Sequence, residues 1–109
     1  MRPFVLTLAI LTLATAASPA LARDLRPKDL QMCKWGAETA RVAQQSKLSG
    51  VTLYSARKKI QAGHFAQPWM RKMALGITDQ TYQSPSRLGP LAIKQTYYEG
   101  CIKHELARR

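Results

Sequence analysis

The sequence predicts an all-α protein, a small bundle of about four helices pinned by one disulfide between Cys33 and Cys101. Three observations predict it. Four stretches carry apolar residues at three- and four-residue spacing, which gathers them on one helical face. Prolines and glycines fall at the ends of those stretches, at Pro27, Ser49-Gly50, Gly63, Pro68 and the loop from Ser84 to Pro90. β-Branched residues are sparse and no stretch alternates apolar with polar over a useful length, which disfavours strands.

The first element is read as a removable export signal over residues 1–22. Arg2 gives a short positive start, Phe4 to Ala17 is apolar, and Ala20-Leu21-Ala22 has the small-x-small form a signal peptidase accepts. The apolar run is shorter than the roughly 20 residues needed to cross a bilayer core of about 30 Å. No later segment is longer or as apolar, so the mature chain is expected to hold no transmembrane segment. Cys33 lies too far from the cut to be a lipoprotein cysteine. Cleavage after Ala22 leaves a single helical domain over residues 23–109. Those 87 residues carry a net charge of +10, Arg2 being the one charge lost from the +11 of the whole sequence.

A domain this small buries only a modest fraction of its surface. Two cysteines in an oxidising compartment address that weakness, and a lone pair has one connectivity. A Cys33–Cys101 bridge encloses most of the domain, for which the chain-entropy model gives about 4 kcal/mol. With no Cys-x-x-Cys spacing, redox catalysis is not indicated.

The first helix is expected from about Pro27 to Lys47, with Leu30, Cys33, Ala37, Ala40 and Leu48 on one face and Gly36 beside them. The second runs from Thr52 or Leu53 to about Ala62, capped by Thr52, with Leu53, Ala56 and Ile60 inward. The third starts at Pro68 and carries Trp69, Met73 and Ile77 at four-residue steps. Gly76 costs that helix about 1 kcal/mol relative to Ala. Pro90 opens the fourth, in which Ile93, Tyr97, Cys101 and His104 share a side and Tyr98 points away.

Cys33 thus opens an Ala-rich helix with Ala37, Ala40 and Ala43; Leu48-Ser49-Gly50-Val51 leads to a helix with Arg57 and Ile60. Ile77 and Thr81-Tyr82 precede a Ser-Pro loop, and the last helix carries Tyr97 and Cys101. Over about residues 30–104 this pattern resembles a loose group of small exported proteobacterial helical proteins of unknown function. The resemblance implies a disulfide-pinned periplasmic or secreted protein and carries no activity or ligand with it. The layout is also similar, by analogy alone, to the periplasmic acid-stress chaperones.

Chemistry has few candidates. The six acids are Asp24, Asp29, Glu38, Asp79, Glu99 and Glu105, and His64 and His104 are the two histidines. Neither histidine has a second one at helical spacing, so no metal is expected. No Gly-x-Ser-x-Gly elbow, phosphate loop or cofactor motif is present. Asp79 and Glu99 could face each other as paired carboxylates, but a solvated surface role is the better reading. Lys103-His104-Glu105-Leu106 looks like a retrieval signal but is not C-terminal. The expectation is no enzyme, no catalytic residue and no cofactor.

Charge is the functional lead. Arg57, Lys58, Lys59, Arg71 and Lys72 are placed away from their helices' apolar stripes, as candidate contacts to an anionic partner. Such a partner is a lipid headgroup, a polysaccharide or an acidic protein, and an exported protein disfavours specific nucleic-acid binding. Arg23, Arg26, Lys28 and Lys34 gather near the mature N-terminus and Arg108-Arg109 at the other end. Trp35 and Val42 lie on the side of the first helix opposite Cys33. They are either sandwiched in the core or form a partner patch for a chaperone-like or protein-interaction module. A small hydrolase, the third reading, needs His64 or His104 in a cleft beside a carboxylate and a hydroxyl.

Overall fold

The structure is a computed structural model and describes residues 25–108. The expected export signal and its cleavage site, with Arg23, Asp24 and Arg109, lie outside the described residues. The described chain holds four helices: α1 (Pro27–Leu48), α2 (Leu53–Ala62), α3 (Pro68–Gln83) and α4 (Pro90–Ala107). Each boundary has a local cause. Pro occupies the first helical position of α1, α3 and α4, where its missing N–H has no intrahelical partner to lose. Gly50, at φ 87°, closes α1: its N–H reaches the Lys47 carbonyl while the Val51 N–H reaches that of Ser46. Thr52 then caps α2, its hydroxyl oxygen accepting the Ser55 N–H at 3.1 Å.

α1 is the spine. α4 packs antiparallel along one side of it and α3 along another, while α2 rests chiefly on α3. The α1–α4 register is set by three ties: the Cys33–Cys101 disulfide, Lys94 Nζ to Glu38 at 3.3 Å, and the Gln44 side chain to the loop before α4. The bridge spans 68 positions of sequence and joins Cα atoms 5.6 Å apart. Leu25, Cys33 and Ile102 are buried around it, with Leu30, Tyr98, Cys101 and Leu106 packed against them. Leu25 and Leu106 thereby bring the two ends of the described chain together.

The rest of the core is made of small side chains. Ala37, Ala40, Ala43 and Ala74 are buried with Ile77, so helices approach closely but remove little apolar surface from water. Gly36 marks the tightest approach. A Cβ there would lie 2.7 Å from Met73 Cε and from Tyr97 Cε1, so its missing side chain admits side chains from both α3 and α4. Gly76 is exposed, and a Cβ at that position would meet nothing within 4 Å, so it marks tolerance and not packing.

Three expectations about facing need correction. In α3 the buried residues are Ala74, Ile77, Thr78 and Thr81, while Trp69 is 41% exposed. Thr81 enters the core because a helix can satisfy it locally: its Oγ1 donates to the Ile77 carbonyl at 2.8 Å. In α4, Tyr98 packs against the disulfide cluster instead of facing away, and His104 is exposed. The helix turns Ile102 and Glu105 inward, as the approach of α1 at Cys101 dictates.

Candidate anion-binding surface and aromatic groove

α2 has no buried residue, Leu53, Ala56 and Ile60 being half-buried, and two polar contacts tie it to α3. Arg57 Nη1 donates to both Asp79 carboxylate oxygens, at 2.7 and 2.6 Å, across the two helices. The Tyr82 hydroxyl donates to the Val51 carbonyl at 2.8 Å and ties the start of α2 to the end of α3. Arg57 is therefore not a free surface cation, contrary to its placement on a solvent-facing side: docking α2 on α3 turns it toward an acid that α2 lacks. Arg71 is likewise engaged, donating to the Gly63 carbonyl at 2.7 Å with its guanidinium 5.4 Å from the Phe65 ring centre. Both arginines shape the α2–α3 junction.

The three lysines of that set behave differently. Lys58 lies over the exposed Tyr54 ring, 5.3 Å from its centre, and keeps its charge at the surface. Lys59 and Lys72 are exposed and have no carboxylate within 4 Å among the described residues. The helices thus leave three of the five expected contacts available, two on α2 and one on α3.

Trp35 and Val42 are separated by the fold. Val42 is 49% exposed, whereas Trp35 is half-buried by the α2–α3 loop and the start of α3. Its ring meets Trp69 edge-on at 5.5 Å and Phe65 at 6.2 Å. Such edge-to-face contacts suit the ring quadrupoles. Beside them runs an open groove of about 820 Å³ lined by Lys28, Lys34, Trp35, Met32, Trp69 and Met70, with Gln31, Ala66 and Gln67 at its margin.

Two residues outside every expectation organise the opposite end of α1. Gln44, only 1% exposed, donates from Nε2 to the Leu88 carbonyl at 2.7 Å and the Ser86 carbonyl at 3.2 Å. Lys47 Nζ donates to the carbonyls of Thr81, Ser84 and Ser86 at 2.9–3.0 Å. Together they tie down the Ser-Pro loop, which presents Leu88 and, at the start of α4, Leu91, 72% exposed. A basic residue in the last turn of α1 was a visible signal. Its targets lie 34 or more positions away, beyond any periodicity.

A cleft of about 360 Å³ separates α3 from α4, lined by Met32, Met73, Tyr97, His104 and Glu105 among others. Burial, and then the negative charge of Glu105, raises the Tyr97 phenol above its ordinary range, so it stays neutral near pH 7. Glu105 is itself buried and faces Arg108 Nε at 3.3 Å. Neither His104 nor His64 pairs with a described carboxylate, and Asp79 and Glu99 do not form a facing pair: Asp79 serves Arg57 and Glu99 accepts from Gln95 at 3.2 Å. Among the described residues no three His, Cys, Asp or Glu side chains gather where they could hold a metal ion. Nor is any described helix long and apolar enough to cross a membrane.

The acids have a consistent fate. Asp29 accepts from Arg26 Nε at 3.0 Å, and Glu38 accepts from Arg41 and Lys94. Hydrogen bonds from the Arg41 guanidinium outweigh the opposing desolvation and, with a further contribution from Lys94, lower the Glu38 carboxyl to about 2. The terminal arginines Arg26 and Arg108 are thus committed to neighbouring acids, while Lys28 and Lys34 are not. Comparison of the chain with protein-family models, with curated proteins and with solved structures finds no match to any of them.

Proposed function

We propose that this chain is a non-catalytic binding protein that acts outside the cytoplasm, in the periplasm or as a secreted protein, on an anionic partner. One observation carries the reading: four of the five described carboxylates are matched to basic residues within the fold, which leaves a set of exposed lysines with no internal counter-charge. Lys58, Lys59 and Lys72 on α2 and α3 are the principal contacts, with Arg57 and Arg71 as the residues that position them. Fixed cations on a rigid surface raise the local concentration of polyanions and do so less at high salt. The disulfide and the signal-like residues 1–22 support an oxidising location. Retention on immobilised heparin and on anionic liposomes, at low and high salt, tests the reading. Stronger, salt-sensitive retention than a charge-matched control supports it, and retention equal to the control overturns it.

A second reading, a chaperone-like or protein-interaction module, is favoured by the exposure of Val42, Leu88 and Leu91, Leu88 on the loop fixed by Gln44 and Lys47 and Leu91 at the start of α4. An ordered loop loses little entropy on binding. Replacing Leu88 and Leu91 by Ser should then abolish any suppression of client aggregation while leaving heparin retention intact.

A further inference from the structure

We propose that the groove between the first half of α1 and the start of α3 is a docking site for an acidic segment of a partner protein, whose apolar side chains lie on Trp35 and Trp69 and whose carboxylates meet Lys28 and Lys34. This deepens the anionic-partner reading and rests on it, but uses a different part of the surface.

The groove combines what such a segment requires. Its floor is aromatic and thioether surface: Trp35, Trp69, Met32 and Met70. Indoles offer large rigid contact area and methionines adapt to irregular apolar side chains. Trp35 is held edge-on by both Phe65 and Trp69, so this surface is preformed. Gln31 and Gln67 supply amide donors and acceptors of the kind a peptide backbone can use.

Charge identifies the partner. Lys28 and Lys34 are exposed, and neither has a carboxylate within 4 Å among the described residues, whereas the neighbouring Arg26 is already taken by Asp29. The two lysines stand six positions apart on α1, a rise of about 9 Å along the axis; Lys28, seven positions before Trp35, shares its stripe, and Lys34 is turned about 100° from it. A chain bearing several carboxylates meets both ammonium groups, since an extended peptide advances about 3.3 Å per residue and brings a new acid into reach within about three positions. That spacing, with the amides at the margin, favours an acidic peptide over a lipid.

The groove carries its own reporter: Trp35 and Trp69 are the two tryptophans of the whole sequence. The probe is a synthetic peptide of alternating Glu and Leu, titrated into the oxidised protein while tryptophan emission is followed. The expected result is a saturable emission shift, weakened about five- to tenfold in the double variant K28Q/K34Q and unchanged in K103Q, at an exposed lysine of α4 outside both surfaces. The same peptide with Gln for Glu should bind about as weakly as the wild-type peptide binds the double variant. Equal affinity for wild type and K28Q/K34Q, equal affinity for the Gln peptide, or an emission shift with phosphatidylglycerol vesicles but none with the peptide overturns the proposal. A protein that ignores heparin yet binds the peptide supports the groove and removes only the broader α2–α3 surface.

Discussion

The α1–α4 pair and the α2–α3 pair are each two packed helices, yet they are held by opposite means. α1 and α4 share a covalent bridge, a buried Leu25–Cys33–Ile102 cluster, and three carboxylates matched to basic residues, Asp29, Glu38 and Glu105. α2 and α3 share an ion pair, a tyrosine hydroxyl bond and no fully buried residue from α2. The first pair is a scaffold that holds three of the four matched carboxylates and leaves Lys28 and Lys34 beside the aromatic groove. The second is an arm whose one acid is taken by Arg57, so its lysines are left without a counter-charge. In a chain with so few acids, where the carboxylates go decides which surface remains cationic.

The bridge is where this contrast should give way most severely. Cys33→Ser with Cys101→Ser should cost about 4 kcal/mol, read as a drop in urea midpoint that reducing agent reproduces in the wild type. The small-residue core offers little apolar area to offset it. Next comes Gly36→Val, which drives a side chain into Met73 and Tyr97 and should cost about 1–3 kcal/mol by thermal melting. Gly76→Ala, at an exposed helical position with open space, should instead gain up to about 1 kcal/mol. Equal effects at both glycines would show that α1 is not the crowded spine described.

Lys47→Met removes the ammonium that three loop carbonyls share and should cost about 1–3 kcal/mol. Hydrogen exchange should accelerate at Ser86 and Leu88 in particular. Arg57→Ala tests the arm. Both partners are about one-third exposed, so the loss should be about 1 kcal/mol or less, and it should appear as faster exchange in α2 with little change in α4. The smallest effect is at Glu38. Its lowered carboxyl contributes stability that is fully present above the ordinary carboxylate range and is lost as pH falls from about 4.5 toward about 2. The group is half exposed, so the contribution is well under the shift's nominal value, and Glu38→Gln should flatten that part of the acid unfolding curve.

Much of the scaffold was legible in the sequence because its determinants are local. Pro27, Pro68 and Pro90 start helices, Gly50 and Thr52 mark the α1–α2 turn, and two cysteines admit one pairing. What escaped depends on distant partners. Trp69 has the right spacing for a core position, but it stands in the first turn of α3, where it meets Trp35 at the open margin of the bundle and stays 41% exposed, while the buried stretch begins at Ala74. Arg57 reads as a surface cation until α2 is laid on Asp79. Gln44 reads as polar filler until a loop more than 40 residues later needs its amide. For the site, the count of excess lysines was readable, but not which of them the acids would cancel.

If the cationic arm, and not the disulfide scaffold, meets the anionic partner, binding must perturb the arm residue by residue. Titrating a heparin oligosaccharide into the isotope-labelled, oxidised protein and following backbone amide shifts by NMR reads this out. The largest changes are expected at Lys58, Lys59 and Lys72, collapsing as salt is raised. Changes centred on α4, from Lys94 to Lys103, or shifts spread evenly over the surface, would contradict it.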